Sequence, residues 1–276
     1  MLQRTDAASG SLTVEGTRID LIERGKGRPL LFLHAENGIE PAHAAIDELA
    51  KAAHVLAPSH PGFGRSELPK GMHTVDDLSY FYLDLLGQLD LRDVTLVGVA
   101  FGAWIAAEIA VKSTARFSRL VMANAVGIKV GDRETRDIAD VFALTEAEYL
   151  EIAYCDSNAA RRDYKSLPPA EVVAAARARE ATARFAWSPY FHNPRLKSRL
   201  HRIRIPTLFL WGAHDRMVSE AYGRAYCAMV PGARFETIER AGHFPHQEQP
   251  RIFVEKVLQY MESKLVPGSP LRGAPE

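Results

Sequence analysis

The sequence predicts a mostly parallel, doubly wound α/β sheet that carries one inserted helical segment. Residues 30–33 form a continuous apolar run, which is typical of a strand that is covered on both faces. Strand-like and helix-like patterns then alternate along the chain. The alternation stops near residue 127 and resumes after residue 200, which indicates an insertion into one α/β unit.

The elements before the interruption follow in a regular order. Two short alternating segments, 11–15 and 18–23, meet at Gly16-Thr17 and predict an antiparallel hairpin. After the apolar strand 30–33, we predict a helix at 41–53, a strand at 54–57, a turn at 58–64, a helix at 75–89, a strand at 94–99, a helix at 101–113 and a strand at 120–123.

The inserted segment differs in composition from the elements on either side of it. Residues 127–200 are rich in Ala, Arg, Glu and Tyr at helical spacing and contain no strand candidate, which predicts a helical cap. The remaining predicted elements are a strand at 207–211, a helix at 220–229, a strand at 234–238, a helix at 251–264 and a tail at 266–276 that we expect to fray. We therefore assign 1–126 and 201–276 to the core, and 127–200 to the cap.

Composition excludes several classes of protein. The chain has 276 residues, of which 47% are hydrophobic and 25% charged, as in ordinary globular proteins. Its 34 Lys and Arg residues balance 34 Asp and Glu residues, so no net field favours nucleic acid or an anionic membrane. We expect a small-molecule substrate instead. A homodimer stays open.

No cofactor, metal or export signal is expected from the sequence. No G-x-G-x-x-G or Walker pattern follows a predicted strand, which argues against a nucleotide cofactor. Cys155 and Cys227 lie far apart and have no metal-site spacing. The first ten residues lack the basic and apolar regions of a signal peptide, and no stretch approaches the length of a membrane helix, so we expect a cytoplasmic protein.

The predicted strand 94–99 runs directly into a motif of small residues. Residues 94–102 read V-T-L-V-G-V-A-F-G, so Gly98 and Gly102 flank Ala100 at the spacing of a nucleophile elbow, G-x-S-x-G. On this motif the sequence resembles the α/β-hydrolase superfamily, and more closely its capped members such as the C–C-bond and small-ester hydrolases. The resemblance spans nearly the whole chain and implies the α/β-hydrolase fold.

Two later segments match the family pattern residue by residue. Residues 206–215, P-T-L-F-L-W-G-A-H-D, resemble the strand and loop that carry the triad acid, which implies that role for Asp215. Residues 242–250, G-H-F-P-H-Q-E-Q-P, resemble the loop of the triad base, which implies that role for His243. The order of elbow, Asp and His is the usual order of this fold. Ala100 occupies the nucleophile position but has only a methyl group, so no acyl-enzyme can form there.

The loop after the first buried strand departs from the family pattern. It reads His34-Ala35-Glu36-Asn37-Gly38, where the family usually has His-Gly followed by small residues. By resemblance, the backbone N–H groups of Phe101 and Glu36 would form the oxyanion hole, and His34 would order the loop. A carboxylate at Glu36 would oppose negative charge there unless it is protonated or turned away. Glu36 is therefore a candidate acid or base, and a solvent-facing side chain is the alternative.

Three explanations of Ala100 remain open at this point. The chain is a hydrolase for a small, largely apolar carbonyl or ester substrate whose serine has been replaced, so that acyl-enzyme hydrolysis is disabled. Alternatively, it is an enzyme that needs no nucleophile, such as a lyase, an oxygenase or another proton-transfer catalyst that uses His243, Asp215 and Glu36. The third explanation is a non-catalytic ligand-binding protein, and fold alone cannot choose among the three. The hydrolase interpretation at family level is the one we carry forward.

Overall fold

The computed structural model describes residues 10–263, which form one eight-stranded sheet in the order β1-β2-β4-β3-β5-β6-β7-β8. The strands are β1 (Gly10–Val14), β2 (Thr17–Arg24), β3 (Pro29–Leu33), β4 (His54–Pro58), β5 (Val94–Val99), β6 (Phe117–Ala123), β7 (Thr207–Gly212) and β8 (Arg234–Ile238). β1 pairs antiparallel with β2, and β2 with β4, whereas β3 to β8 pair in parallel. The predicted hairpin and mostly parallel sheet are both present.

Six helices lie in the connections between strands, and two follow the last described strand. They are α1 (His43–Leu49), α2 (Val75–Gln88), α3 (Phe101–Lys112), α4 (Glu146–Ala153), α5 (Pro169–Ala186), α6 (Glu220–Ala228), α7 (Pro245–Glu248) and α8 (Pro250–Glu262), with short 3-10 helices at Glu40–Ala42 and Lys197–Arg202. The central strands β3, β5 and β7 are buried along almost their whole length, as their continuous apolar runs predict. No helix within residues 10–263 is long and apolar enough to cross a membrane.

Several predicted boundaries differ from the observed ones. The helix predicted at 41–53 begins as a 3-10 turn and ends at Leu49, because the next four residues form the turn that leads into β4. β6 begins at Phe117 instead of residue 120, since the polar pair Ser118 and Arg119 hides a strand start that pairs with β5 across a register shift. The last predicted helical residue, 264, and the tail 266–276 lie outside the described residues.

The segment between β6 and β7 contains α4 and α5 and, among its residues 127–200, no strand of the sheet. Its two ends meet at Gly127, whose N–H donates to the carbonyl of Phe191 (3.0 Å) and whose carbonyl accepts from the N–H of Asn193 (2.9 Å). These bonds close the insertion at its base. Its status as a cap over a core of 1–126 and 201–276 stays a prediction.

The turn between β5 and α3 requires glycine on both sides. Ala100 has φ +49° and ψ −111°, a left-handed conformation that L residues adopt only when the surroundings enforce it. A Cβ atom on Gly98 would lie 2.5 Å from the carbonyl oxygen of Gly102, and one on Gly102 would overlap the carbonyl oxygens of Leu33 and His34. The start of α3 therefore lies directly against the end of β3.

We predict that Gly102→Ala lowers the free energy of unfolding by about 3 kcal/mol, because the new methyl group must push α3 away from backbone atoms that cannot move aside. Urea titration of the full chain measures the change. Gly87→Ala is the matched control, since Gly87 lies in α2 and a Cβ there meets nothing within 4 Å. We expect that substitution to be neutral or to stabilise by up to about 1 kcal/mol through helix propensity. Equal effects of the two substitutions would contradict the packing argument.

Candidate active site

His243 and Asp215 form a buried hydrogen-bonded pair at the carboxyl edge of the sheet. Asp215 follows β7 and His243 follows β8, and Nδ1 of His243 lies 2.8 Å from Oδ2 of Asp215. The other carboxylate oxygen, Oδ1, accepts the N–H groups of Met217 and Val218, each at 2.9 Å. These bonds fix the carboxylate, which in turn fixes the ring and leaves Nε2 of His243 pointing away from Asp215.

Asn124 is a site residue that the sequence analysis missed. It follows β6 with φ +45° and is fully buried. Its Nδ2 donates to Oδ2 of Asp215 (2.8 Å) and to the carbonyl of Gly242 (3.2 Å), while its Oδ1 accepts from the N–H of Gly212 (3.2 Å). One amide therefore ties together the loops that carry Asp215 and His243. The available signal was a polar residue directly after a buried strand, at the sheet edge where ligand sites lie.

Glu36 points into the protein and approaches His243 from the side opposite Asp215. Its residue exposure is 7%, Oε2 accepts the N–H of Phe101 at 3.4 Å, and Oε1 lies 3.6 Å from Nε2 of His243. Among the described residues, neither Oε1 of Glu36 nor Nε2 of His243 has a hydrogen-bond partner. The carboxyl group thus lies beside the Phe101 N–H inside the protein, and the solvent-facing alternative for Glu36 is wrong.

The pKa values of this pair follow from burial and mutual charge. Burial raises the pKa of Glu36, although the charge of His243 and hydrogen bonds from its own N–H and that of Phe101 oppose the rise. Burial alone would lower the pKa of His243, but the charge of Asp215, its hydrogen bond and the charge of Glu36 together raise it. Burial thus favours the protonated form of Glu36, and Asp215 strengthens His243 as a proton acceptor. Oε1 of Glu36 and Nε2 of His243 lie 3.6 Å apart.

A second buried pair, His34 and His60, holds the loop that presents Glu36. Nε2 of His34 accepts the N–H of His60 at 3.0 Å, so its proton lies on Nδ1, which donates to the carbonyl of Ala35 at 2.7 Å. The two rings lie 3.7 Å apart, and the ring of His60 also bonds the carbonyl of His34 (3.0 Å). Burial lowers the pKa of His34 to about 4, so the ring is neutral near pH 7. This geometry fits a loop-ordering role for His34.

A cavity of about 350 Å³ lies between Glu36 and the inserted segment. Its walls include Tyr149 and Tyr154 from α4 and the residue after it, and Arg179 and Thr182 from α5. Thr182 Oγ1 donates to the backbone carbonyl of Glu36 at 3.1 Å, which fixes α5 against the loop. Among the candidate site residues within the described chain, Glu36 lines this cavity, and the others do not; these are Ala100, Phe101, Asp215 and His243.

The carboxyl end of α4 is bonded to the loops of both dyad residues. The N–H of His243 donates to the carbonyl of Ala153 (2.7 Å), and that of Arg216, next to Asp215, donates to Ile152 (3.1 Å). Glu248 joins the same parts of the chain, since Oε2 accepts from Gly242 N–H (2.6 Å) and Oε1 from Cys155 N–H (2.7 Å). Orphan carbonyls at a helix end thereby find partners. The helix that lines the cavity also sets the position of the dyad loops.

Comparison with known proteins agrees with this architecture. The model of the alpha/beta hydrolase family matches residues 30–256. A 2-hydroxy-6-oxo-2,4-heptadienoate hydrolase of Pseudomonas putida is 25% identical and covers 90% of this chain and 94% of its own. A putative 2-succinyl-6-hydroxy-2,4-cyclohexadiene-1-carboxylate synthase of Bacillus subtilis is also 25% identical, over 90% and 96% of the two chains.

A solved structure extends the comparison to three dimensions. The crystal structure of a mutant meta-cleavage product hydrolase superposes with a TM-score of 0.75 at 19% identity, covering 91% of this chain and 97% of its own. At that identity the likeness concerns the fold alone. Together with the family match, it confirms the α/β-hydrolase fold that the elbow and loop motifs predict.

Among residues 10–263 no group of three or more His, Cys, Asp or Glu residues is arranged to hold a metal ion.

We predict that His34 makes the fold sensitive to acid. Its folded-state pKa of about 4 lies below the unfolded value near 6.5, so its contribution to stability is complete above about pH 6.5 and is lost as the pH falls through 4. The full loss is about 3 kcal/mol of unfolding free energy. Urea titrations at pH 7 and pH 4.5 give the acid slope, which is the loss of unfolding free energy between the two pH values. We expect a smaller acid slope for His34→Asn than for the wild type, and the difference measures the contribution of His34.

The exposed residue His43 provides the control for this comparison. His43→Gln should keep the acid slope of the wild type, because it removes an exposed residue and leaves the buried His34 ring in place. A wild-type slope retained in His34→Asn would contradict the prediction. An NMR titration of the His34 ring protons provides an independent measure of its pKa.

Proposed function

We propose that this chain, which belongs to the alpha/beta hydrolase family, catalyses proton transfer on a small carbonyl compound through Glu36, His243 and Asp215, without a serine nucleophile. The observation that carries the proposal is the position of Glu36. Its carboxyl group lies beside the Phe101 N–H and 3.6 Å from the free nitrogen of His243. A carboxyl group thus stands beside the N–H that would form part of the oxyanion hole of a hydrolase, and it faces the proposed base, His243.

The three side chains would divide the reaction between them. His243 removes a proton from the carbon next to the substrate carbonyl, while Asp215 orients the ring and stabilises the imidazolium that forms. Glu36, whose pKa burial raises, donates its proton to the carbonyl oxygen as that oxygen gains negative charge. The electron pair of the broken C–H bond moves into the enol, and Ala100 takes no part because its methyl group has no nucleophilic atom.

A substrate carbonyl would replace the long contact between Glu36 and the Phe101 N–H. The 3.4 Å separation between Phe101 N and Glu36 Oε2 is long for an N–H···O hydrogen bond. A substrate carbonyl would displace Oε2 from Phe101 N–H and receive two donors, that N–H and the carboxyl O–H of Glu36. Such preorganised donors stabilise charge that develops on oxygen.

The relatives support a small oxygenated substrate and more than one kind of reaction. One is named for hydrolysis of a hydroxy-oxo-heptadienoate, whereas another is named as the synthase of a cyclohexadiene carboxylate. A member of this family that transfers protons without hydrolysis is therefore consistent with its relatives. We propose a small oxygenated carbonyl compound as the substrate of this chain.

A second candidate function is that of a hydrolase whose serine has been replaced. The strained backbone at Ala100 favours it, since φ +49° and the flanking glycines are what a nucleophile elbow needs. The dyad would then be the remainder of a Ser-His-Asp triad for a small, largely apolar carbonyl or ester substrate. The position of Glu36 beside Phe101 N–H is the feature that this candidate leaves without a role.

We predict that the wild-type chain exchanges the α-protons of small ketones and oxo acids for deuterium in D₂O, and that Glu36→Gln slows the exchange at least 100-fold, because an amide cannot supply the proton. Proton NMR of a panel of such compounds measures the rate. Glu146→Gln is the control, since Glu146 lines the same cavity, at the start of α4, and is not one of the three proposed catalytic groups. Exchange that Glu36→Gln leaves unchanged, or no exchange with any compound, would contradict the proposal.

We predict that wild type forms no covalent adduct with p-nitrophenyl acetate, as judged by intact mass, because position 100 carries no nucleophile. Under the proposed function, Ala100→Ser alone acylates slowly because Glu36 occupies the oxyanion position. Ala100→Ser/Glu36→Gly should then acylate at least tenfold faster. A fast stoichiometric adduct with Ala100→Ser alone would favour the replaced-serine hydrolase instead. An adduct on the wild type would reveal a different nucleophile.

A further inference from the structure

We propose that the substrate carries a carboxylate group, which is bound by Arg162 and Arg179, two residues of the inserted segment that line the cavity. The inference rests on the proposed function and names the class of its substrate, a small carboxylic acid with a second carbonyl group. It begins from two arginines that line the cavity together with Glu36 and Glu146.

Arg162 and Arg179 are exposed side chains at the cavity. Among the described residues, neither Arg162 nor Arg179 forms an ion pair with a carboxylate. Six arginines elsewhere among the described residues each pair with Asp or Glu, namely Arg18, Arg24, Arg65, Arg92, Arg116 and Arg224. A guanidinium group matches a carboxylate with two parallel hydrogen bonds. Two such groups at one cavity are therefore suited to an anionic ligand.

Arg179 lies on α5 close to the residue of that helix that contacts Glu36. Thr182 Oγ1 touches the backbone of Glu36, and Arg179 precedes Thr182 by three residues, about 4.5 Å along a helix axis and on the same face. The guanidinium carbon of Arg179 lies 5.6 Å from the ring centre of Phe142, another cavity residue. A small molecule held at Arg179 can consequently reach Glu36.

The charges of Arg179 and Arg162 affect the pKa values of two tyrosines that line the cavity. Burial raises the pKa of Tyr149, and the charge of Arg179 opposes the rise. Burial likewise raises the pKa of Tyr154, and the charge of Arg162 opposes it. Both guanidinium groups therefore act on the interior of the cavity from the side of the inserted segment.

An anionic substrate is compatible with the acid role of Glu36. An ionised Glu36 would repel an anion in the same cavity, whereas a protonated one does not. Anchoring the carboxylate at the arginines leaves the other end of the molecule free to reach Glu36, which lines the same cavity. The volume of about 350 Å³ is near the lower limit for small-molecule sites, which restricts the substrate to a small acid.

Isothermal titration of the full chain with 4-acetylbenzoate and 4-acetylbenzamide tests the proposal, because the two probes differ in charge but hardly in shape. We expect the benzoate to bind at least tenfold more tightly. Arg162→Gln and Arg179→Gln should each weaken benzoate binding about tenfold and leave benzamide binding unchanged. Equal affinities for the two probes, or binding of neither, would overturn the proposal.

Matched controls come from neighbouring arginines that do not line the cavity. Arg161→Gln and Arg177→Gln remove the same charge, and the side chain of Arg177 donates instead to the carbonyl of Ser66 (3.1 Å). Both variants should bind the benzoate as the wild type does, and equal losses in all four variants would overturn the proposal. Glu36→Gln should bind the benzoate at least as tightly. If it does, while leaving deuterium exchange unaffected, the proton-transfer function fails and the carboxylate site stands.

Discussion

The burial of His243 between two carboxylates is the constraint on which the site depends. Asp215 lies 2.8 Å from one ring nitrogen and Glu36 lies 3.6 Å from the other. Titratable groups without access to solvent need partners or must give up their charge, and the surrounding backbone supplies much of this compensation. The N–H groups of Met217 and Val218 serve Asp215, and the amide of Asn124 serves it too. Glu36 has less compensation, so burial raises the pKa of its carboxyl group and favours the protonated form.

The strained turn at Ala100 positions a backbone N–H group and the start of α3. A left-handed conformation at a residue other than glycine costs roughly 1–2 kcal/mol, so it persists only where the fold enforces it. Here the turn directs the N–H of Phe101 toward Glu36 and places the start of α3 against the end of β3. In a hydrolase the same turn would present a serine. In this chain, what it presents is a backbone hydrogen-bond donor.

The inserted segment and the dyad are mechanically joined. α4 contributes walls of the cavity, and its last carbonyls accept the N–H groups of His243 and Arg216. Glu248 accepts the N–H groups of Cys155, two residues after that helix, and of Gly242, the residue before His243. The helix that lines the cavity therefore also holds the loops of Asp215 and His243.

The sequence by itself determined the sheet, because strands buried on both faces leave continuous apolar runs and the elbow needs glycines at fixed spacing. It also determined which loops carry Asp215 and His243, since those motifs are local and their order is that of the fold. Tertiary structure decided the rest. The inward direction of Glu36, the role of Asn124 and the two arginines at the cavity all depend on contacts between segments far apart in the chain. No local pattern records which side of a loop faces a helix inserted more than a hundred residues later, so only packing could assign Glu36 to His243.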